Sequence, residues 1–151
     1  MRCHLVVVWV KIKLRSRFCD RAVETSAIPN SGFGHPHPGT PSRPIVRIPY
    51  RLARELCIGE DILNRYARKE IYDTAGGPVE LRLLPESIYI ELVEKGRPIL
   101  SDALVDKNAD VVLLSDRAIS ELGIVILDPA EGIWALKEDM KPRQSSEPEF
   151  W

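Results

Sequence analysis

Long apolar runs are missing from this chain: the longest unbroken one covers residues 5–10 and is closed by Lys11. Six residues are too few for a membrane-spanning helix and short even for the core of a signal peptide, so neither a membrane nor a secretory route is expected, and the cytoplasm is the expected location. Cysteine is scarce. Cys3, Cys19 and Cys57 are odd in number and widely spaced, a pattern of neither a disulfide framework nor paired zinc ligands, and buried or incidental thiols are expected. An excess of charge of one sign is also lacking. With 21 Lys and Arg against 22 Asp and Glu, the net charge of -1 provides no summed positive field for nucleic acid or an anionic membrane. Histidine is limited to three residues. His35 and His37 could offer two imidazoles, but Pro36 and Pro38 hold them extended and no third ligand lies near, so neither a metal nor a cofactor is expected.

What is present is an ordinary globular composition, 44% hydrophobic and 28% charged over 151 residues. That is enough for one core and cramped for two, which implies a single domain over residues 1–140. The polar, proline-containing residues 141–151 read as a flexible C-terminal tail.

Apolar residues alternate over 5–14 and again over 21–28, a strand pair in which Lys11, Lys13, Arg15 and Arg17 share one solvated face. Residues 29–44 hold five prolines together with Gly32, Gly34 and Gly39, which excludes a helix or a central strand. A short strand at 45–48 leads into a helix at 50–56, with Leu52, Ala53 and Leu56 on one face, and a second helical turn is read at 61–66. Ala75-Gly76-Gly77-Pro78 lies between extended runs at 68–74 and 79–84, the chemistry of a hairpin turn. Strands at 87–93 and 98–105 flank a turn at 94–96 and are antiparallel by their short connection. The strand 111–114 is followed by Ser115 or Asp116 as helix cap, an inner face of Ile119 and Leu122, and Gly123 as the stop. Two short strands, 124–127 and 133–136, complete the domain.

Two local patterns and this order of elements carry a resemblance. Ala27-Ile28-Pro29-Asn30-Ser31-Gly32-Phe33 ends an early strand and resembles the apolar-apolar-Asp-Thr/Ser-Gly-Ala motif of retropepsin-like aspartic peptidases. The stretch 113–124, an apolar pair, Ser115-Asp116-Arg117, then Leu122-Gly123, is similar to their closing strand and helix. Tyr72-Asp73-Thr74-Ala75-Gly76-Gly77 lies where that family has its flap. The resemblance implies a mainly β fold, a small closed β-barrel of the acid-protease type with one or two short helices. It also implies a homodimer whose shared site takes one aspartate from each chain. It places the catalytic motif at Asn30, Ser31 and Gly32, substrate-binding residues at Phe33, Thr74, Ala75, Gly76 and Gly77, and a structural residue near the dimer centre at Arg117.

The departures from the family decide the expected activity. Two carboxylates about 3 Å apart work by sharing one proton, one serving as base and the other as acid. The Asn30 amide can hydrogen-bond but does not titrate, and loss of a general base alone removes roughly 10²–10⁴ in rate. Ser115 stands where the family has glycine, and Pro29 interrupts the strand just before the site. The expectation is a catalytically degenerate homologue that binds a peptide or protein ligand without turnover. The alternatives are an active aspartic-type peptidase whose catalytic Asp is Asn30 in this chain, and a structural or scaffolding β domain. Asn30-Ser31-Gly32 also fits a simple Asx turn, Asp73-Thr74-Ala75 a plain hairpin turn, and Ser115-Asp116 a helix cap rather than a nucleophile and its partner.

Overall fold

A computed structural model describes residues 7–29 and 42–151. Alternating side chains make β1 (Val10–Ser16) a two-faced strand: Val10, Ile12 and Leu14 are fully buried, while Lys11, Lys13 and Arg15 lie on the other face. It begins later than the apolar run suggested and continues to Ser16, whose N–H donates to the Arg21 carbonyl at 3.0 Å to close the turn into β2 (Ala22–Pro29). β3 (Ile45–Pro49) runs directly into α1 (Tyr50–Glu55), a transition that suits Pro49 because a helix start needs no N–H there. α2 (Glu60–Tyr66) follows, with Glu60 and Asp61 in its first turn where the helix dipole favours them.

The hairpin of β4 (Arg68–Thr74) and β5 (Gly77–Leu92) turns at Ala75 and Gly76, with Thr74 opposite Gly77. Gly77 has φ 105, a conformation side-chain-bearing residues rarely adopt. Two strands were expected at 79–84 and 87–93, but they are halves of the one long β5. A register shift between Leu84 and Ile88 absorbs Pro85, which has no ladder donor, and Glu86, at φ 45. The first half of β5 carries β4, and the second half pairs with β1. β6 (Ile99–Asp106), β7 (Val112–Leu114), α3 (Asp116–Leu122), β8 (Ile124–Asp128), β9 (Ile133–Leu136) and β10 (Arg143–Gln144) complete the chain. Among the described residues the short helices number three rather than one or two.

The sheet runs β1-β2-β7-β3-β6-β5 and closes through the β5–β1 pairing, a six-stranded barrel in a mainly β protein. β2–β7 and β3–β6 are parallel, and the other pairings of the barrel are antiparallel. Val46, Ile48, Ala103 and Val105 join Ile12, Leu14, Ile88 and Ile90 in the interior, together with Leu52, Leu63, Leu122 and Trp134 from the covering elements. Ile45 and Leu104, on the opposite faces of β3 and β6, form a smaller cluster with Leu81 and Leu83. Tyr72, Val79 and Leu113 pack against it, so the β4–β5 arm covers the outside of the barrel wall here.

Two expectations are corrected. Cys19, in the β1–β2 turn, and Cys57, between α1 and α2, are joined in a disulfide and are not free thiols. Residues 141–151, expected as a flexible tail, pack on the barrel. β10 pairs with β9, and Arg143 bonds Glu94 at 2.7 Å and Asp139 at 3.0 Å. The Arg143 hydrogen bond, helped by the Lys141 N–H, lowers the Asp139 carboxyl to about 2. The Ser145 hydroxyl accepts from the Trp9 N–H at 2.8 Å, and the Ser146 N–H donates to the Trp9 carbonyl at 2.8 Å. Lys11 meets Glu149 at 2.5 Å, Phe150 stands edge-on to Trp9, and the Trp151 indole N–H donates to the Thr25 hydroxyl at 3.0 Å. No helix among the described residues is long and apolar enough to cross a membrane.

Candidate functional site

The end of β2 and the whole of β7 are parallel neighbours in register, Ala27 with Val112, Ile28 with Leu113 and Pro29 with Leu114. Ser115, the next residue, caps α3: its hydroxyl accepts from the Ala118 N–H at 3.3 Å and from the Ile45 N–H at 2.9 Å, and its own N–H donates to the Ile45 carbonyl at 3.0 Å. Gly123 ends the helix in the left-handed conformation, as its position in the sequence implied. The chain therefore leaves the side of β7 at Pro29 and is back beside it at Ile45. Asn30, Ser31, Gly32 and Phe33 lie between these points and outside the described residues, as do His35 and His37.

Next to β7 on the outer face is a groove of about 330 Å³. Thr74 and Val79 line it from the hairpin, Arg47 from β3, Asp106 from the end of β6, Leu113 from β7, and Asn108, Ala109, Asp110 and Val111 from the β6–β7 connection. Of the residues expected to bind substrate, Thr74 reaches this groove, where its hydroxyl donates to the Gly77 carbonyl at 2.6 Å. Ala75 and Gly76 form the exposed turn beyond it, Gly77 opens β5, and none of the three is among its lining residues. Arg117 stands on α3 and pairs with Glu121 of the same helix at 3.5 Å.

A layer of charge that the sequence did not reveal supports the groove. β3 and β6 run parallel with Ile45 beside Asp102 and Pro49 beside Asp106, so Arg43 and Arg47 each reach two positions forward to an aspartate. The Asp102 Oδ2 accepts from Arg43 Nη2 at 2.7 Å, and its Oδ1 accepts from the Glu86 N–H at 2.8 Å. The Asp106 Oδ2 takes both Nε and Nη2 of Arg47, and its Oδ1 accepts from the Asn108 N–H at 2.8 Å. The only signal available in the sequence was the matched spacing of Arg43 and Arg47 with Asp102 and Asp106, and it acquires meaning only once the two strands are known to be neighbours.

Tyr72, under the arm, is raised from 10.0 to about 12 by burial, then by the charges of Glu70 and Asp102, against the opposing effect of Arg47. Its unfolded phenol ionises first, so its contribution to stability is complete below pH about 10 and falls as pH rises toward 12. A phenolate absorbance titration should show one of the four tyrosines ionising late, and Tyr72→Phe should remove that step. Loss of a different step would place the shift elsewhere.

The described groove residues include no serine, cysteine, histidine or lysine, though they include the Thr74 hydroxyl and the Asp106 and Asp110 carboxylates. They offer an apolar floor, hydrogen-bonding groups and carboxylates, which suit binding. The chain matches no protein-family model, and no curated protein matches it.

Proposed function

We propose that the chain is a catalytically degenerate retropepsin-like homologue that forms a homodimer and binds an extended peptide in the groove beside the β4–β5 hairpin, by strand addition. One observation carries this reading. The two stretches on which the resemblance rests are more than eighty residues apart in sequence, yet they run side by side, with Pro29 paired to Leu114 so that Asn30 and Ser115 each begin one residue later. The closed barrel supports it, as does the position of Thr74 and Val79 on the same groove as Leu113.

In this reading Asn30 occupies the place of the proton-sharing acid. Two amides at a dimer axis neither titrate nor repel, so binding proceeds without hydrolysis and dimer stability is flat between pH about 4 and 7. The Cys19–Cys57 bond favours an oxidising surrounding over the cytoplasm expected from composition. A peptide-library cleavage assay near pH 4, with and without Asn30→Asp, tests the proposal. The wild type is expected to be inert, and the carboxylate is expected to restore pepstatin-sensitive cleavage together with a pH-dependent dimer in sedimentation. A monomer at every concentration, with no activity in the aspartate variant, sinks the retropepsin reading.

A further inference from the structure

We infer that the groove selects a peptide bearing a basic side chain, with Asp110 as the residue that determines the preference. This rests on the peptide-binding reading above. At about 330 Å³ the groove is at the small end of ligand clefts, a size for one long side chain rather than a whole cofactor. Val79, Val111 and Leu113 give it an apolar wall, which suits the methylene stem of lysine or arginine and leaves the charged head to find a polar partner.

The charges in the groove are not equally available. Arg47 is committed to Asp106, and both oxygens of Asp106 are engaged, Oδ2 by the guanidinium and Oδ1 by the Asn108 N–H. These two residues cancel as a closed pair. Asp110 is different: it is exposed, it lines the same groove, and no cation among the described residues forms an ion pair with its carboxylate. Its backbone is held in place, because the Asp110 carbonyl accepts the Trp151 N–H at 2.8 Å where the C-terminal segment docks. The result is a positioned negative charge beside an apolar wall, complementary to an ammonium or guanidinium group and repulsive to a carboxylate.

The probes are three acetylated, valine-rich hexapeptides identical except for one central residue, lysine, norleucine or glutamate. Binding is followed by fluorescence polarisation and located through the backbone amides of Thr74, Val79, Val111 and Leu113 by NMR. The lysine peptide is expected to bind about fivefold more tightly than the norleucine peptide at low salt, with glutamate weakest, and added salt narrows the gap. Asp110→Asn should abolish the preference, so that the lysine and norleucine peptides bind alike. Equal binding of all three peptides, or a preference that survives Asp110→Asn, overturns the inference and leaves the groove reading standing. If no peptide binds, the groove reading fails and this inference fails with it. Asp110 is exposed, so the substitution should leave the fold intact, and the ranking on the wild type is informative without the variant.

Discussion

Asp102→Ala is expected to lower the unfolding free energy by about 3 kcal/mol, one of the largest effects of any single polar substitution in this protein. Asp102 is 1% exposed, lies where the pairing of β6 with β3 begins, and joins three elements. Its two oxygens hold the Arg43 guanidinium, just before β3, and the Glu86 N–H at the bend of β5. Alanine would leave the Glu86 donor without its acceptor at the point where the ladder is already interrupted, and that desolvation cost is the main part of the loss. Arg43 contributes less, because its side chain is 40% exposed and can turn to water. The reverse substitution, Arg43→Ala, takes the guanidinium away from the more deeply buried carboxylate, so it should cost a similar amount although it removes the more exposed residue. Asp102→Asn retains an acceptor for Glu86 and should recover about half of the loss. Urea unfolding gives the comparison, with a lower midpoint and an unchanged slope. A loss below about 1 kcal/mol for Asp102→Ala would show that the β5 bend holds without this carboxylate.

The contrast between this hub and the better-read parts of the chain shows what sequence pattern reports. The alternation of Val10, Ile12 and Leu14 with lysines, the glycines at the hairpin turn, Ser115 as cap and Gly123 as stop are short-range signals, each set by the backbone geometry of a few neighbouring residues. They were legible. β5 was misread because Pro85 suggests an end, whereas the bulge lets the strand continue past it. The C-terminal segment looked like solvent-exposed tail because its partners are distant: Trp9, Lys11, Ser26 and Thr25 lie more than a hundred positions away. The same holds for the site. Thr74 could be named from its place in the hairpin, but the Arg47–Asp106 pair and the exposed Asp110 become a groove only when β3, β6 and β7 are adjacent.

Opening the Cys19–Cys57 disulfide is expected to cost about 3–4 kcal/mol, the value for the chain entropy released when a loop of this size is no longer closed in the unfolded state. The two cysteines are 38 residues apart, and the segment between them includes β2, β3 and α1 as well as Asn30. The bond ties the β1–β2 turn to the link between the first two helices. Reduction, or Cys19→Ser with Cys57→Ser, should therefore lower the urea midpoint and steepen the transition, because the unlinked unfolded chain exposes more surface. Cys57 provides a second, separable effect. Its φ of 65 is in the left-handed region, where a side chain costs about 1–2 kcal/mol and glycine costs nothing. Once the bond is gone, Cys57→Gly in a Cys19→Ser background should be more stable than Cys57→Ser by about 1 kcal/mol, after allowance for the greater freedom glycine gives the unfolded chain. Equal stability of the two double variants would mean that the backbone at Cys57 relaxes when the disulfide is absent, so that the left-handed turn is held by the bond and not by the hydrogen bonds from the Cys57 and Ile58 N–H groups to the Arg54 and Ala53 carbonyls.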